Sequence, residues 1–343
     1  MTASESSLIG HAKQTAKGTP NTTDNAFDYL LFKEGALGVI PSFLPLDQEI
    51  GGGALLRNVL KVGVMSGGAL SIIPRPKTLG NFFYGVTGAV ASVDGTDGSY
   101  EHEFTLSDQF AAPWYTLRTA PGQLLGEQLA DVRVAALTLA WRAARFVEGQ
   151  GSFQGIGVPQ SVSMASWGAA SKVDSGPQFL APLGTIELPT GTPAYVTAGS
   201  FTAQTVMPVD EQWVVGSYSP QNLSIVSRAF VLSLAVKIED AALYKKIMYD
   251  PAGGNTWLPS IFREANFKIE FASDIEAATG KPYKFSIAAN GQSGADANVS
   301  WSAQPIAMRA GRQIILGVTG TFLASPDGNT PITLGLVNQT ASY

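Results

Sequence analysis

The sequence predicts a mainly β protein made of two tandem units, each a β-sandwich or barrel flanked by one α-helix. Three observations predict it: short apolar segments with period-two alternation, glycines and prolines that punctuate them, and an internal repeat relating the two halves. At roughly 150 residues per domain, a chain of 343 residues holds two such units.

Residues 1–26 are polar and rich in Ser, Thr, Ala and Lys, with Leu8-Ile9 their only apolar pair, and read as a flexible arm. The first unit spans 27–157. Its strands are VLKVGVM (59–65), YEHEFTL (100–106) and DVRVAALTLAW (131–141), and its helix is PKTLGNFFYGVTGAV (76–90), weakened by three glycines. VDGTDGSY (93–100) carries Asp-Gly turn signals. GQGSFQG (149–155) reads as a turn or bulge. Residues 158–182, with three prolines and few charges, form a connector in which Trp167 and Phe179 dock on neighbouring structure. The second unit, 183–343, has strands AFVLSLAVKI (229–238), NFKIEFA (266–272), YKFSIAA (283–289) and RQIILGVTGTFL (312–323), with a turn at SPDGNTP (325–331). Its helix is IEDAALYKKIMYD (238–250), which has Glu239 and Asp240 in the first turn and an apolar stripe from Ala241 to Met248.

The repeat is collinear. Leu44-Pro45-Leu46-Asp47 matches Met207-Pro208-Val209-Asp210 at an offset of 163 residues, and Leu70-Ser71 matches Leu232-Ser233 at 162. Glu103-Phe104 matches Glu270-Phe271, Pro113-Trp114 matches Pro282-Tyr283, and the stretch from Trp141 to Arg145 matches that from Met308 to Arg312. Alternating strands resemble one another by pattern alone, but neither the Pro-Asp nor the Arg-x-x-Arg match is demanded by a β pattern.

Composition excludes much chemistry. There is no cysteine, so thiolate metal sites, disulfides and thiol nucleophiles are out. His11 and His102 lie far apart, and no HExxH or GxSxG motif exists. Thr279-Gly280-Lys281 fails as a phosphate loop, with Ile275 at the first glycine position and Pro282 in place of Ser/Thr. Gly149, Gly151 and Gly155 miss the dinucleotide spacing by one residue. His102, between Glu101 and Glu103 on a strand, points away from both and reads as a surface or interface residue. Asp47 with Glu49 and Asp210 with Glu211 are loop acids read as solvated. Asn21, Asn222, Asn298 and Asn338 match the glycosylation pattern by accident of composition, since the N-terminus lacks a signal peptide. A net charge of −5 gives no basic footprint, so Arg142 with Arg145 and Arg309 with Arg312 read as interface arginines. No apolar run is long enough to span a membrane, and the chain is expected to be soluble and made in a cytoplasm. The sequence thus assigns no catalytic, cofactor-binding or metal residues, and the protein reads as a non-enzyme. Charged residues make up 14% against a usual quarter, which suits a surface covered by other subunits.

The order of these features resembles the tail tube (major tail) proteins of long-tailed, non-contractile bacteriophages, of the two-domain type. The likeness runs from the polar arm through GVIPSFLPLDQEIGGG, the PRPKTLGNFFYGVTG helix, YEHEFTL, a Pro-Trp-Tyr strand and DVRVAALTLAW to RFVEGQGSF. It then repeats from SFTAQTVMPVDEQWVVG through AFVLSLAVKIEDAALYKKIMY to VTGTFLAS. It covers residues 27–157 and 183–343. The resemblance implies two tail-tube-like domains whose inner strands join those of neighbours around a lumen. With six domains to a ring, it implies trimeric rings of pseudo-sixfold symmetry stacked helically into a hollow virion tube. The implied partners are other copies of the chain, a tape-measure protein, double-stranded DNA passing during ejection, and tail terminator and tail-tip proteins. The implied place is the phage tail, after assembly in the host cytoplasm.

The two units carry net charges of −3 and −2, which suits a lumen that does not hold DNA. The arm and the connector are candidates for segments that order on assembly. Two other readings stay open: a baseplate hub or secretion-system tube, and a carbohydrate-binding sandwich using Trp114, Trp141, Trp213, Trp257 and Trp301. Most of these tryptophans lie in apolar runs that favour a core role.

Overall fold

A computed structural model describes residues 6–46, 58–107, 110–165, 167, 173–188, 195–238, 241–249, 255–257, 262–263, 267–289, 299–306, 313–324 and 332–343. Period-two alternation dominates, and the described residues form two antiparallel sheets packed as sandwich layers, with two helices and no closed barrel. Each of the seven segments read as strands contains a strand.

The first half begins with β1 (Leu8–Lys13), β2 (Asp28–Tyr29), β3 (Phe32–Pro45), β4 (Val59–Ile72) and α1 (Pro76–Thr87). It continues with β5 (Gly88–Asp94), β6 (Tyr100–Leu106), β7 (Tyr115–Ala120), β8 (Glu127–Arg142), β9 (Glu148–Gly155) and β10 (Gln160–Ser161). β11 (Leu180–Glu187) leads into β12 (Tyr195–Val206), β13 (Ser227–Lys237) and α2 (Ala242–Met248). The chain closes with β14 (Lys268–Ala278), β15 (Lys281–Ala289), β16 (Val299–Ala303), β17 (Ile315–Phe322) and β18 (Ile332–Asn338).

The larger sheet contains the row β3-β4-β9-β8-β12-β13-β17-β16, with β7, β1 and β2 continuing from the first part of β8 and β10 pairing there too. The smaller sheet runs β11-β14-β15-β18-β6-β5. Both sheets cross between the halves, through β8 on β12 and through β18 on β6.

The repeat has a topological counterpart. A hairpin (β3–β4), a helix (α1), a hairpin in the smaller sheet (β5–β6) and a hairpin (β8–β9) that returns to the first are matched by β12–β13, α2, β14–β15 and β16–β17. Leu70-Ser71 and Leu232-Ser233 occupy equivalent strands. Glu103-Phe104 and Glu270-Phe271 do not: they sit on the second strand of one hairpin and the first of the other. What they share is an outward Glu and a buried Phe, which any half-buried strand selects. Pro113-Trp114 precedes a strand of the larger sheet, while Pro282-Tyr283 lies in the smaller one. Met308 to Arg312, like Asp47, lies outside the described residues.

β8 shows how sequence sets packing. Val132 and Val134 face inward, then Leu137, Leu139 and Trp141; the extra residue between the two sets is a bulge opposite β9. The helix α1 lies on this layer. Its three glycines are positional: Gly80 meets the Tyr343 ring, Gly85 meets Val134, and Gly88 takes φ +92° to end the helix, its N–H donating to the Tyr84 carbonyl. The helix 238–250 read from sequence is shorter, and Glu239 and Asp240 lie outside the described residues.

Two readings change. Residues 8–13, expected to belong to a flexible arm, form β1. Every residue of β7 is buried, and β1 pairs along its whole length, covering an edge that would otherwise be open. Residues 149–155 are a strand rather than a turn: the glycines make room for what lies above, and Gly151 sits under the Phe82 ring. The docking expected of Trp167 and Phe179 in the connector is present. Trp167 is buried beside Tyr29, Phe179 stacks edge-on against Phe285 at 4.8 Å, and Asp174 accepts the Thr78 N–H at 2.9 Å, capping the first turn of α1 from 96 residues away.

One core joins the halves: Phe83 meets Phe104 and Phe285, and Trp141 meets Phe271. Each buried aromatic contributes about 1.5–3 kcal/mol. Gly151→Ala forces a methyl against the buried Phe82 ring and should lower stability by about 1–3 kcal/mol, read from the denaturation midpoint.

Both histidines are buried, and burial lowers both pKa values from 6.5. Asp28, through its charge and its backbone, and Asp174 oppose the shift at His11, Lys77 adds to it, and the Tyr115 ring meets the imidazole edge-on. A lowered folded pKa means the unfolded chain takes up the proton first, so stability is full above 6.5 and falls as pH drops toward the folded pKa. The thermal midpoint should fall between pH 7 and pH 5, and His11→Leu should make that fall smaller.

Candidate functional site: assembly surfaces

The chemical candidates do not converge. His102 is 3% exposed, not at the surface as expected. Its face assignment holds, with Glu101 and Glu103 exposed on the other side. Asn338 Oδ1 accepts from its Nε2 at 3.0 Å and Ser92 Oγ donates to Nδ1 at 2.8 Å, a tautomer set by the Thr340 N–H that also donates to Asn338 Oδ1. Tyr343 lies edge-on at 4.9 Å, so this network closes the second half onto β6 and α1.

Lys281, beside the failed phosphate loop, is held by Asp97 at 3.1 Å and Glu101 at 3.7 Å; its pKa is raised, chiefly by Asp97. Asp210 and Glu211 are exposed on one turn. Asp47, Glu49, Asn298, Arg309 and Arg312 lie outside the described residues. Asn338 is buried, Asn21 and Asn222 are partly exposed, and Arg142 and Arg145 are exposed. Among the described residues no three His, Asp or Glu side chains gather as a metal site, and no helix is long and apolar enough to cross a membrane.

The tryptophans do not build a sugar platform. Trp141 and Trp301 are core residues, Trp114 lies under the Arg133 guanidinium, and Trp257 is 65% exposed. Trp141 and Phe271 border an open groove of about 310 Å³, whose other walls are Ala, Pro, Gly, Ile and Val, with no polar side chain to read hydroxyls.

The unexplained surfaces are structural. β9 covers β4 only from Ser66 to Ile72, while β3 and β4 stay paired out to Pro45 and Val59. The excess is a two-stranded ribbon that exposes Ile40, Phe43, Leu44, Val59, Leu60 and Val62, with Phe43 at 60%. Such a ribbon has little stability in water, and a contiguous apolar surface of this kind marks an interaction site. Its base is tied down where the Val64 N–H donates to the Tyr218 carbonyl at 2.8 Å. Val214, Val215 and Tyr218 are exposed on the same loop.

The second surface is the face of the larger sheet turned away from the core. Over its middle it presents Thr138, Gln150, Ser152, Thr202, Ser233 and Thr319, alternating with buried neighbours. Its charges stand at strand ends, as Arg142, Glu148 and Lys237. Arg133, toward the other end, donates to the Leu223 carbonyl at 2.6 Å, and burial beside Arg228 lowers its pKa to about 10. The third surface is the set of sheet edges: β3 and β16 close the long row of the larger sheet, and β5 and β11 close the smaller.

Residues 37–46 are mostly apolar without alternating, and Pro41 and Pro45 further mask the ribbon; Asp174 and Asn338 carry no local signal because their partners lie about 100 and 240 residues away.

No curated protein matches the chain. A family model described as phage tail tube protein matches residues 6–310, nearly the whole chain. The chain, with its two-layer antiparallel fold, belongs to the phage tail tube protein family.

Proposed function

We propose that this virion tail tube protein polymerises into stacked trimeric rings forming the hollow, non-contractile tail through which double-stranded DNA leaves. The observation that carries the reading is the repeated strand order, β3-β4-β9-β8 and β12-β13-β17-β16. Residues 27–157 and 183–343 are then two copies of one tube unit, so three chains supply six units and a ring of pseudo-sixfold symmetry. Contacts within a ring close on themselves, while those between rings repeat without closing and build a filament.

The neutral face of the larger sheet suits the lumen. Each phosphate neutralised by a fixed cation would add a salt-dependent attraction and slow a moving duplex, and the middle of this face carries hydroxyls and amides instead. Before ejection the same lumen would hold the tape-measure protein, with terminator and tip proteins at the tube ends. The ribbon supplies apolar area for contact with other copies, and the family's structural role suggests a protein without enzymatic activity.

Negative-stain microscopy of the purified chain should show rings of threefold or pseudo-sixfold outline and hollow filaments; only compact monomers under every condition would refute the proposal. Leu44→Ser with Leu60→Ser removes exposed apolar surface. It should change monomer stability by no more than about 0.5 kcal/mol while abolishing sedimentable assemblies.

A further inference from the structure

The two hairpins that the repeat relates end differently. With Leu70 matched to Leu232, the rung from Ile40 to Met65 corresponds to the rung from Val206 to Ser227. Beyond it β3 and β4 stay paired out to Pro45 and Val59, whereas β12 and β13 part and residues 207–226 connect them. The matched sequences meet opposite fates. Leu44 and Leu46 are 54% and 42% exposed, while Met207 and Val209 are 6% and 7% exposed and join Leu223 and Ile225 in a buried cluster. The second connection is folded down onto the body of the subunit, where the first extends into the ribbon.

What the folded connection touches is the base of the ribbon. β9 stops opposite Ser66, so toward the ribbon β4 has no strand on that side. Tyr218 fills the gap, its carbonyl accepting the Val64 N–H at 2.8 Å. One residue further out the half-buried Trp213 ring lies on Gly63, where a Cβ would come within 2.6 Å of the ring's Cη2 atom. Val62 follows as an unpaired bulge, since Ser42 pairs with Gly63 and Phe43 with Lys61. The two contacts therefore grip the ribbon just inside the point where the bulge bends it.

The connection is internally bonded, so its grip has a fixed position. The Gln221 N–H donates to the Gln212 carbonyl at 2.9 Å and closes the neck, and the Ser217 N–H donates to the Val214 carbonyl at 3.2 Å across a turn in which Gly216 takes φ +91°. Ser217 Oγ accepts from the Ser219 N–H at 3.2 Å and from Gln221 Nε2 at 2.9 Å. Arg133 holds the returning chain by its 2.6 Å bond to the Leu223 carbonyl.

From these contacts we infer that residues 207–226 are a brace, through which the second unit fixes the direction of the first unit's ribbon within each subunit before copies meet. A two-stranded hairpin is marginal in water, and a third partner at its base lowers the ordering cost of any contact the ribbon makes later. The brace stands on the subunit alone. Its consequence rests on the tube reading above: a trimeric ring carries three ribbons alternating with three folded connections, so its ribbon face is threefold although its sheets are pseudo-sixfold.

Amide hydrogen exchange on dispersed subunits, below the concentration at which particles sediment, tests the brace. Trp213→Ala should speed exchange of residues 37–45 and 59–65 by about tenfold while residues 131–141 of β8 keep their rate. Gly63→Ala, whose methyl displaces the ring, should do the same. The double variant should match Trp213→Ala alone, because the ring that the methyl would displace is gone. Unchanged exchange at 59–65 in both single variants, equal acceleration at 131–141 in both, or additive effects in the double variant would overturn the brace. Class averages of wild-type rings should show three protrusions on one face. Six equal protrusions would overturn the threefold face and leave the brace standing, and the absence of any ring or filament would overturn the tube reading alone.

Discussion

The hydrogen-bonded junction between β8 and β12 is the constraint on which the rest depends. Over seven residues it places Leu139 beside Phe201 and Leu137 beside Ala203 on the core side, and Thr138 beside Thr202 on the other, their hydroxyl oxygens 3.3 Å apart. Because side chains alternate, agreement at one pair forces agreement at all. This ladder makes one sheet of two similar rows, lets a single aromatic core run beneath both halves, and leaves only β3 and β16 as the ends of that row.

The smaller sheet fastens the same halves from the other side. β18, the last strand, lies between β15 and β6; its final residue, Asn338, links His102 to the carbonyl of Pro76, and beyond it Tyr343 packs against Phe104. Two seams far apart in sequence hold the halves in fixed register, which a subunit needs if its two units are to occupy successive places in one ring.

The legible parts of the sequence were those whose signal is local. Alternation in DVRVAALTLAW or AFVLSLAVKI states both the strand and its buried face, and the Pro76 to Gly88 stretch states where a helix starts and stops. What stayed hidden depends on partners far along the chain. LIGHAK has too few apolar residues to announce a strand, and it becomes one because β7 offers an edge about a hundred residues away. His102 looked like a surface residue because its neighbours are acids, and only the return of β18 and Tyr343 buries it. The glycines of β9 imitate a turn because the sequence does not reveal Phe82 pressing from above. The assembly surfaces were half legible: the missing charge pointed to covered area, but the ribbon and the neutral sheet face emerge only once register is known.

Open edges carry a hazard, since any strand can add to them. The two ends of the larger row answer it differently. β3 has prolines at 41 and 45, which deny an incoming strand its hydrogen bonds along the ribbon while leaving residues 32–40 free. β16 is short, and its first part is occupied by the chain's own Phe262 and Arg263. The stretches left available are thus residues 32–40 on β3 and only the end of β16, so the shorter edge limits what can add there. If copies join through such edges in a cycle of three, the complete ring is favoured over open chains, because closure would gain one more contact than an open trimer without ordering another subunit.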